Sequence, residues 1–161
     1  LVTDLKRYIA LAGTSVLILG AGGAARGIIE PLINAMVGHL TLANRSIEKA
    51  RILQQGFSQI EVVSIESLSA NYDLIINATA ASLTGKDLFF SRTVMSNQPF
   101  CYDLVYTQSD ETPFVKYAKS TGCPAADGLG MLIEQAAEAF FIWHGVRPDT
   151  TVIRTLLLGD A

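Results

Sequence analysis

The run Ser15-Val-Leu-Ile-Leu19 leads without a break into Gly20-Ala-Gly-Gly-Ala-Ala25. A short branched apolar run that stops at a glycine cluster reads as a buried central strand of a parallel sheet. Beyond the glycines, Ala25, Ile28, Ile29, Leu32 and Met36 recur at helical spacing. This predicts a helix from Ala24 to Val37, kinked where Pro31 interrupts it. Strand, glycine turn and helix in that order form the context in which a dinucleotide fingerprint has chemical meaning. Gly20 makes the tight turn, Gly22 has no side chain to hold a diphosphate off the backbone, and Ala25 lets helix and strand pack closely. The amides from Gly20 through Ala21, Gly22 and Gly23 to Ala24, with the positive end of the helix dipole, then hold a diphosphate without a lysine. A glycine-rich turn that serves packing alone is the competing reading.

The rest of the chain repeats the alternation. Strands are expected at Leu40 to Ala43, Ile60 to Ile65, Asp73 to Asn77 and Phe100 to Val105. Helices are expected at Ser46 to Gln55, capped by Ser46, and at Thr112 to Thr121, with Pro113 in its first turn. The segment from Ala125 to Gly130 opens a long helix from Met131 to His144, and Thr151 to Leu158 is a last short one. Strands alternating with helices of these lengths imply right-handed crossovers and an α/β fold with a doubly wound, Rossmann-like parallel sheet. The length of 161 residues suits one such domain.

Composition agrees and excludes alternatives. Half the residues are hydrophobic and 17% are charged, as for a sheet covered on both faces. A net charge of −3 without a basic stripe argues against nucleic acid as a partner. Cys101 and Cys123 form no CxxC pair, so buried thiols are expected, with no metal site. The segment MLIEQAAEAFFIWHGV is apolar but too short to cross a bilayer and carries Glu134, Gln135 and Glu138. Leu1 to Ala12 reads as an amphipathic helix without a signal-peptide h-region, so a cytoplasmic location is expected. The two histidines, His39 and His144, lie in no catalytic motif and are expected to be structural.

The second strand bears on the choice of cofactor. NAD-binding domains usually end this strand in an acid that accepts from the adenosine ribose. Here it ends Ala43-Asn44-Arg45-Ser46. Arg45 can pair with a 2′-phosphate and lie flat on adenine, Ser46 and the helix amides add donors, and Lys49 lies one turn on. A cation at a helix start is electrostatically unhelpful unless an anion joins it, which points to NADP over a merely solvated arginine.

Taken in order, GAGGAARG, NRSIEKA, DLIINATAAS, YDLVY, TPFVKYAKSTG and DGLGMLIEQAAEAFFIWHG make the chain resemble the C-terminal domain of the shikimate dehydrogenase family. The likeness covers essentially all of the sequence. DGLGMLxxQAA followed by Trp-x-Gly is its most specific part, while GAGGA and NRS are shared with other NADP enzymes. The resemblance implies reduction of 3-dehydroshikimate to shikimate with NADPH, shared between an N-terminal substrate domain and this cofactor domain. It places the phosphate loop on Gly20 to Ala24 and the 2′-phosphate clamp on Asn44, Arg45, Ser46 and Lys49. Thr79 lies in the loop near the nicotinamide, with Leu104 and Gly128 beside the ring through their backbones. Tyr106 and Gln135 fall where this domain touches the substrate's hydroxyls and carboxylate. Without the likeness, Tyr106 would be a strand-end aromatic, Gln135 a surface amide and Met131 plain core.

The resemblance also implies what lies elsewhere. The family's lysine and aspartate acid–base pair belongs to the substrate side, the aspartate just upstream of Leu1, so residues 1–161 form a single NADP-binding domain with no catalytic residue of their own. Leu1 to about Ala12 is then the interdomain helix, and the helices from about Gly130 return toward the substrate domain. The fragment is expected to bind NADP(H) and to be inactive alone. Two departures stand out: Ala80-Ala81-Ser82 replaces the usual Ser-and-Gly sequence after Asn77-Ala-Thr79, and the turn from Tyr106 to Thr112 is longer than expected. A quinate-preferring relative and a non-catalytic NADP-binding module are the alternatives.

Overall fold

The computed structural model describes residues 1–69, 71–79, 92–107 and 110–159. The strands are β1 (Ser15–Leu19), β2 (His39–Ala43), β3 (Ile60–Val63), β4 (Leu74–Asn77), β5 (Phe100–Asp103) and β6 (Ala125–Ala126). They form one sheet in the order β3-β2-β1-β4-β5-β6. Each neighbouring pair is parallel, with Leu19 beside Ala43 on one side and Asn77 on the other. The chain therefore winds outward in both directions from β1, and the switch point falls between β1 and β4. In an open parallel sheet this is where the carboxyl ends of the strands leave a crevice.

The helices are α1 (Val2–Leu5), α2 (Gly23–Asn34), α3 (Ile47–Gly56), α4 (Pro113–Ser120), α5 (Leu129–His144) and α6 (Thr151–Leu158). Successive strand residues point to opposite faces, and two cores follow from that alternation. Val16, Ile18, Leu40, Leu42, Leu74 and Ile76 pack against Ile28, Ile29 and Leu32 of α2 on one face. Leu17, Leu19, Ile75 and Cys101 pack against Phe114 and Ala118 of α4 on the other. The expected central strands are thus buried on both sides.

Several boundaries differ from the sequence expectation. The helix foreseen over Leu1 to Ala12 is limited to α1, because Leu5 and Leu11 are both buried. Six residues apart, they sit about 120° from each other around a helix and cannot share one buried face. Pro31 does not interrupt α2. It and Gly27, whose carbonyl it leaves unpaired within the helix, both lie on the exposed side, where water can take the bond. The third strand ends at Val63 and gives way to a 3₁₀ turn at Ile65–Ser67. The fifth ends at Asp103, and α5 begins at Leu129, two residues before the expected start. Among the described residues no helix is long and apolar enough to cross a membrane.

Candidate functional site

The glycine loop lies at the switch point. Gly20 has φ +108° and donates its amide to the Ala43 carbonyl at 2.8 Å, while Ala78 donates to Leu19 at the same distance. A Cβ on Gly20 would stand 2.9 Å from the Ala78 oxygen, so both the left-handed backbone and the close approach of the β4 end demand glycine there. Gly22 is the N-cap of α2 and Gly23 its first residue, and a Cβ on either would meet nothing within 4 Å. No side chain caps this helix. Ala21 is half-buried and Ala24 exposed, whereas Ala25 is fully buried against the sheet, the role expected of the third fingerprint position.

Beside this loop, β2 delivers Asn44, Arg45 and Ser46. The Asn44 amide donates to the Ser46 carbonyl at 2.8 Å and fixes the turn into α3. Arg45 and Lys49 are exposed, and Arg45 has no ion-pair partner among the described residues. Ser46 is the N-cap by position, but its hydroxyl caps no backbone amide. It donates instead to the Glu48 carboxylate at 3.1 Å. The Glu48 carboxyl is held below its ordinary pKa, first by its own backbone amide and then by Ser46. Of the donors expected at this helix start, the Ser46 hydroxyl and the Glu48 amide are thus engaged by the Glu48 carboxylate.

A buried polar network sets the other side of the crevice. Asn77 and Asp103, register partners at the ends of β4 and β5, are both fully buried. The Asn77 amide donates to Asp103 Oδ1 at 3.0 Å. The Thr79 hydroxyl and amide donate to Asn77 Oδ1 at 2.7 and 3.1 Å. Asp103 also accepts from the Val105 amide at 3.2 Å and, through Oδ2, from the buried Thr112 hydroxyl at 2.7 Å. Thr112 in turn caps α4 by accepting from the Val115 amide. Thr79 and the Leu104–Val105 turn are thereby held by one carboxylate. Gly128, the N-cap of α5, donates to the Val105 carbonyl at 3.1 Å, and any Cβ on it would strike the Leu104 carbonyl.

Tyr106 is partly exposed just beyond β5, and Gln135 is exposed on the second turn of α5. Met131 is partly buried against the core on the α2 side, in line with a packing role. Ala80, Ala81 and Ser82 lie outside the described residues. In the turn from Tyr106 to Thr112, Asp110 pairs with Lys116 and Glu111 with Lys119. His39 is exposed, and His144 packs on Phe140 with ring centroids 4.4 Å apart. Cys101 and Cys123 are free, buried thiols, and burial raises the Cys101 thiol far above its ordinary pKa. Among the described residues no cluster of His, Cys, Asp or Glu could hold a metal.

Sequence reasoning missed the buried Asn77, Asp103 and Thr112, although two apolar strands that each end in a polar residue are a usable signal. It also missed a second buried acid. Asp4 accepts from the Tyr102 hydroxyl at 2.6 Å and from Arg154 of α6 at 2.7 Å. Gly130 sits against both carboxylate oxygens, where a Cβ could not fit.

Known proteins resemble this chain in sequence and fold. The family described as shikimate/quinate 5-dehydrogenase matches residues 4–94, and the shikimate 5′-dehydrogenase C-terminal domain matches residues 128–158. The shikimate dehydrogenase (NADP(+)) of Legionella pneumophila (strain Lens) is 54% identical over 153 residues, 95% of this chain and 58% of that protein. The shikimate dehydrogenase of Aquifex aeolicus superposes with a TM-score of 0.83 at 34% identity, over 94% of this chain and 56% of that one. The Thermus thermophilus shikimate 5-dehydrogenase in complex with NADP(H) and shikimate gives 0.79 at 30%, over 92% and 56%. This chain thus spans a little over half the length of such relatives, and by sequence and fold alike it belongs to the shikimate dehydrogenase family.

Proposed function

We propose that residues 1–161 are the NADP(H)-binding part of an enzyme that interconverts 3-dehydroshikimate and shikimate, working in the reductive direction. The observation that carries the cofactor is the end of β2, where the Ala43-Asn44-Arg45 segment holds no acid of the kind NAD enzymes usually place there and Arg45 stands exposed two residues past the strand. The residues fit the group: open space lies in front of Gly22 and Gly23, α2 has no capping side chain, and the slot between Leu104 and Gly128 admits backbone alone. The bound nicotinamide supplies the hydride.

The work of this chain is binding and orientation. The amides from Gly20 to Ala24 receive the diphosphate, and Asn44, Arg45, Ser46 and Lys49 receive the adenosine end. Thr79, Leu104 and Gly128 would border the nicotinamide, the amides of Thr79 and Leu104 held by Asn77 and that of Gly128 by the Val105 carbonyl. Tyr106 and Gln135 reach the substrate's hydroxyls and carboxylate. Holding the reactants in register lowers the barrier by removing the search for orientation. Proton delivery to the developing alkoxide falls to the lysine and aspartate of the substrate domain, as in the family. Residues 1–161 by themselves would bind NADP(H) and leave shikimate unchanged.

An apolar groove of about 360 Å³ between α5 and α6, lined by Leu132, Ile133, Phe140, Ile153 and Leu157, supports the return of these helices to a second domain. Ile142, Trp143 and Leu156 beside it are all more than 70% exposed. Quinate is a competing substrate, because the matched family covers both. Calorimetric titration of the protein with NADP and NAD, repeated on Arg45→Ala, tests the cofactor. NADP should bind more tightly, and the variant should lose that preference by roughly 10–100-fold, as for a charge-assisted pair. Equal affinities in the unmodified protein refute the reading. Turnover assays with shikimate and quinate decide the substrate, and activity of residues 1–161 alone overturns the division of labour.

A further inference from the structure

We propose that Glu48 is a cofactor-specificity residue that works against Arg45, holding the preference for NADP over NAD below what the arginine alone would confer. The inference rests on the Arg45 reading above and goes beyond it. Glu48 is the second residue of α3, two positions after its N-cap, Ser46. Its carboxylate takes the Ser46 hydroxyl at 3.1 Å and is stabilised by its own backbone amide. They are a hydroxyl and an amide at the helix start beside Arg45, donors of the kind that a 2′-phosphate bound there could use. The anion's seat at this helix start is therefore held by an anion of the chain itself.

The consequence has opposite signs for the two nucleotides. A 2′-phosphate must displace the carboxylate from these donors or accept its charge at close range, and both outcomes weaken NADP. A ribose 2′-hydroxyl can donate to a carboxylate placed there, as it does to the acid at the end of the second strand in NAD enzymes, and this favours NAD. Arg51, one turn further along α3, offsets part of the Glu48 charge without removing it. Because the carboxylate is fully exposed, water and salt moderate its effect.

The test is titration of the full-length protein with NADP and with NAD at low salt, for wild type, Glu48→Gln and the control Glu30→Gln. Glu30 is an exposed acid on α2, so its variant makes the same change in net charge away from the clamp. Glu48→Gln should raise the NADP-to-NAD affinity ratio by about 3–10-fold, the scale of one exposed charge on a nearby phosphate. That gain should shrink in roughly 0.5 M salt, where the screening length is a few ångströms, and Glu30→Gln should leave the ratio unchanged. A gain in affinity from a surface substitution is not what loss of structure produces. If wild type prefers NADP and Glu48→Gln leaves the ratio flat or lowers it, the Glu48 inference falls and the Arg45 reading stands. If wild type shows no NADP preference, the Arg45 reading falls and the Glu48 inference falls with it.

Discussion

Replacing Arg154 with methionine removes the cation of a buried ion pair with Asp4, along with its 3.8 Å approach to Glu134. Arg154 and Asp4 have side-chain exposures of 4% and 0%, and they bring together residues 150 positions apart. Methionine keeps much of the apolar stem but leaves the Asp4 carboxylate buried with the Tyr102 hydroxyl. Removal of one member of a buried pair costs about 3–5 kcal/mol, because the remaining charge keeps its desolvation penalty without its partner. For a domain of this size the melting temperature should fall by about 6–20 °C. Thermal and urea unfolding followed by circular dichroism measure the loss. The double variant Asp4→Asn with Arg154→Met should recover part of it, with a coupling of about 1–3 kcal/mol. A loss below about 1 kcal/mol in Arg154→Met, or additivity in the double variant, would show that the pair is not an anchor.

Two further predictions rest on single contacts. Gly128→Ala should destabilise the domain by about 1–3 kcal/mol and weaken NADP binding, since its methyl group meets the Leu104 carbonyl, a backbone atom that cannot rotate away; melting and titration together check it, and unchanged binding counts against the nicotinamide slot. Burial, and then the hydrogen bond to Asp4, raise the Tyr102 phenol above its ordinary pKa. Its contribution to stability is therefore complete below about pH 10, the unfolded value, and is lost as pH rises toward the folded one. Urea midpoints measured from about pH 9 to 11, on either side of that unfolded value, should fall less steeply in Tyr102→Phe than in wild type, and parallel slopes would refute the assignment.

The sheet was legible in the sequence because its strands are apolar on both faces and stop at polar or glycine residues, a pattern that few other elements produce. The glycine loop was legible for the same reason: Gly20 and Ala25 are dictated by backbone geometry and close packing, which leave a residue-level trace. At the end of β2 the exposed Arg45 was legible from its position, but the contact of Ser46 with Glu48 depends on side-chain rotamers, which no spacing rule encodes. The length of the first helix was misjudged because Leu5 and Leu11, about 120° apart on a helix, are both buried once the chain leaves the helix after Leu5. Asp4 and Asp103 were missed for a different reason. A buried acid is recognised by its donors, and the side-chain donors here, Asn77, Thr112, Tyr102 and Arg154, lie 9 to 150 positions away.

Those two acids explain how a site built largely from backbone atoms can be held in place. Tyr102 and Asp103 are consecutive on β5 and therefore face opposite sides of the sheet. Tyr102 reaches Asp4, which binds α6 through Arg154, while Asp103 reaches Thr112, the cap of α4, and Asn77 at the end of β4. The strand is thus pinned from both faces immediately before Leu104, the residue that meets Gly128. Loosening either acid should move the same short stretch of backbone. In the full-length protein, substitutions at Asp4 and Asp103, on opposite sides of the sheet, are therefore expected to converge on one symptom, slower turnover at saturating cofactor, with a smaller loss of nucleotide binding than changes at the ends of β1 and β2 would cause.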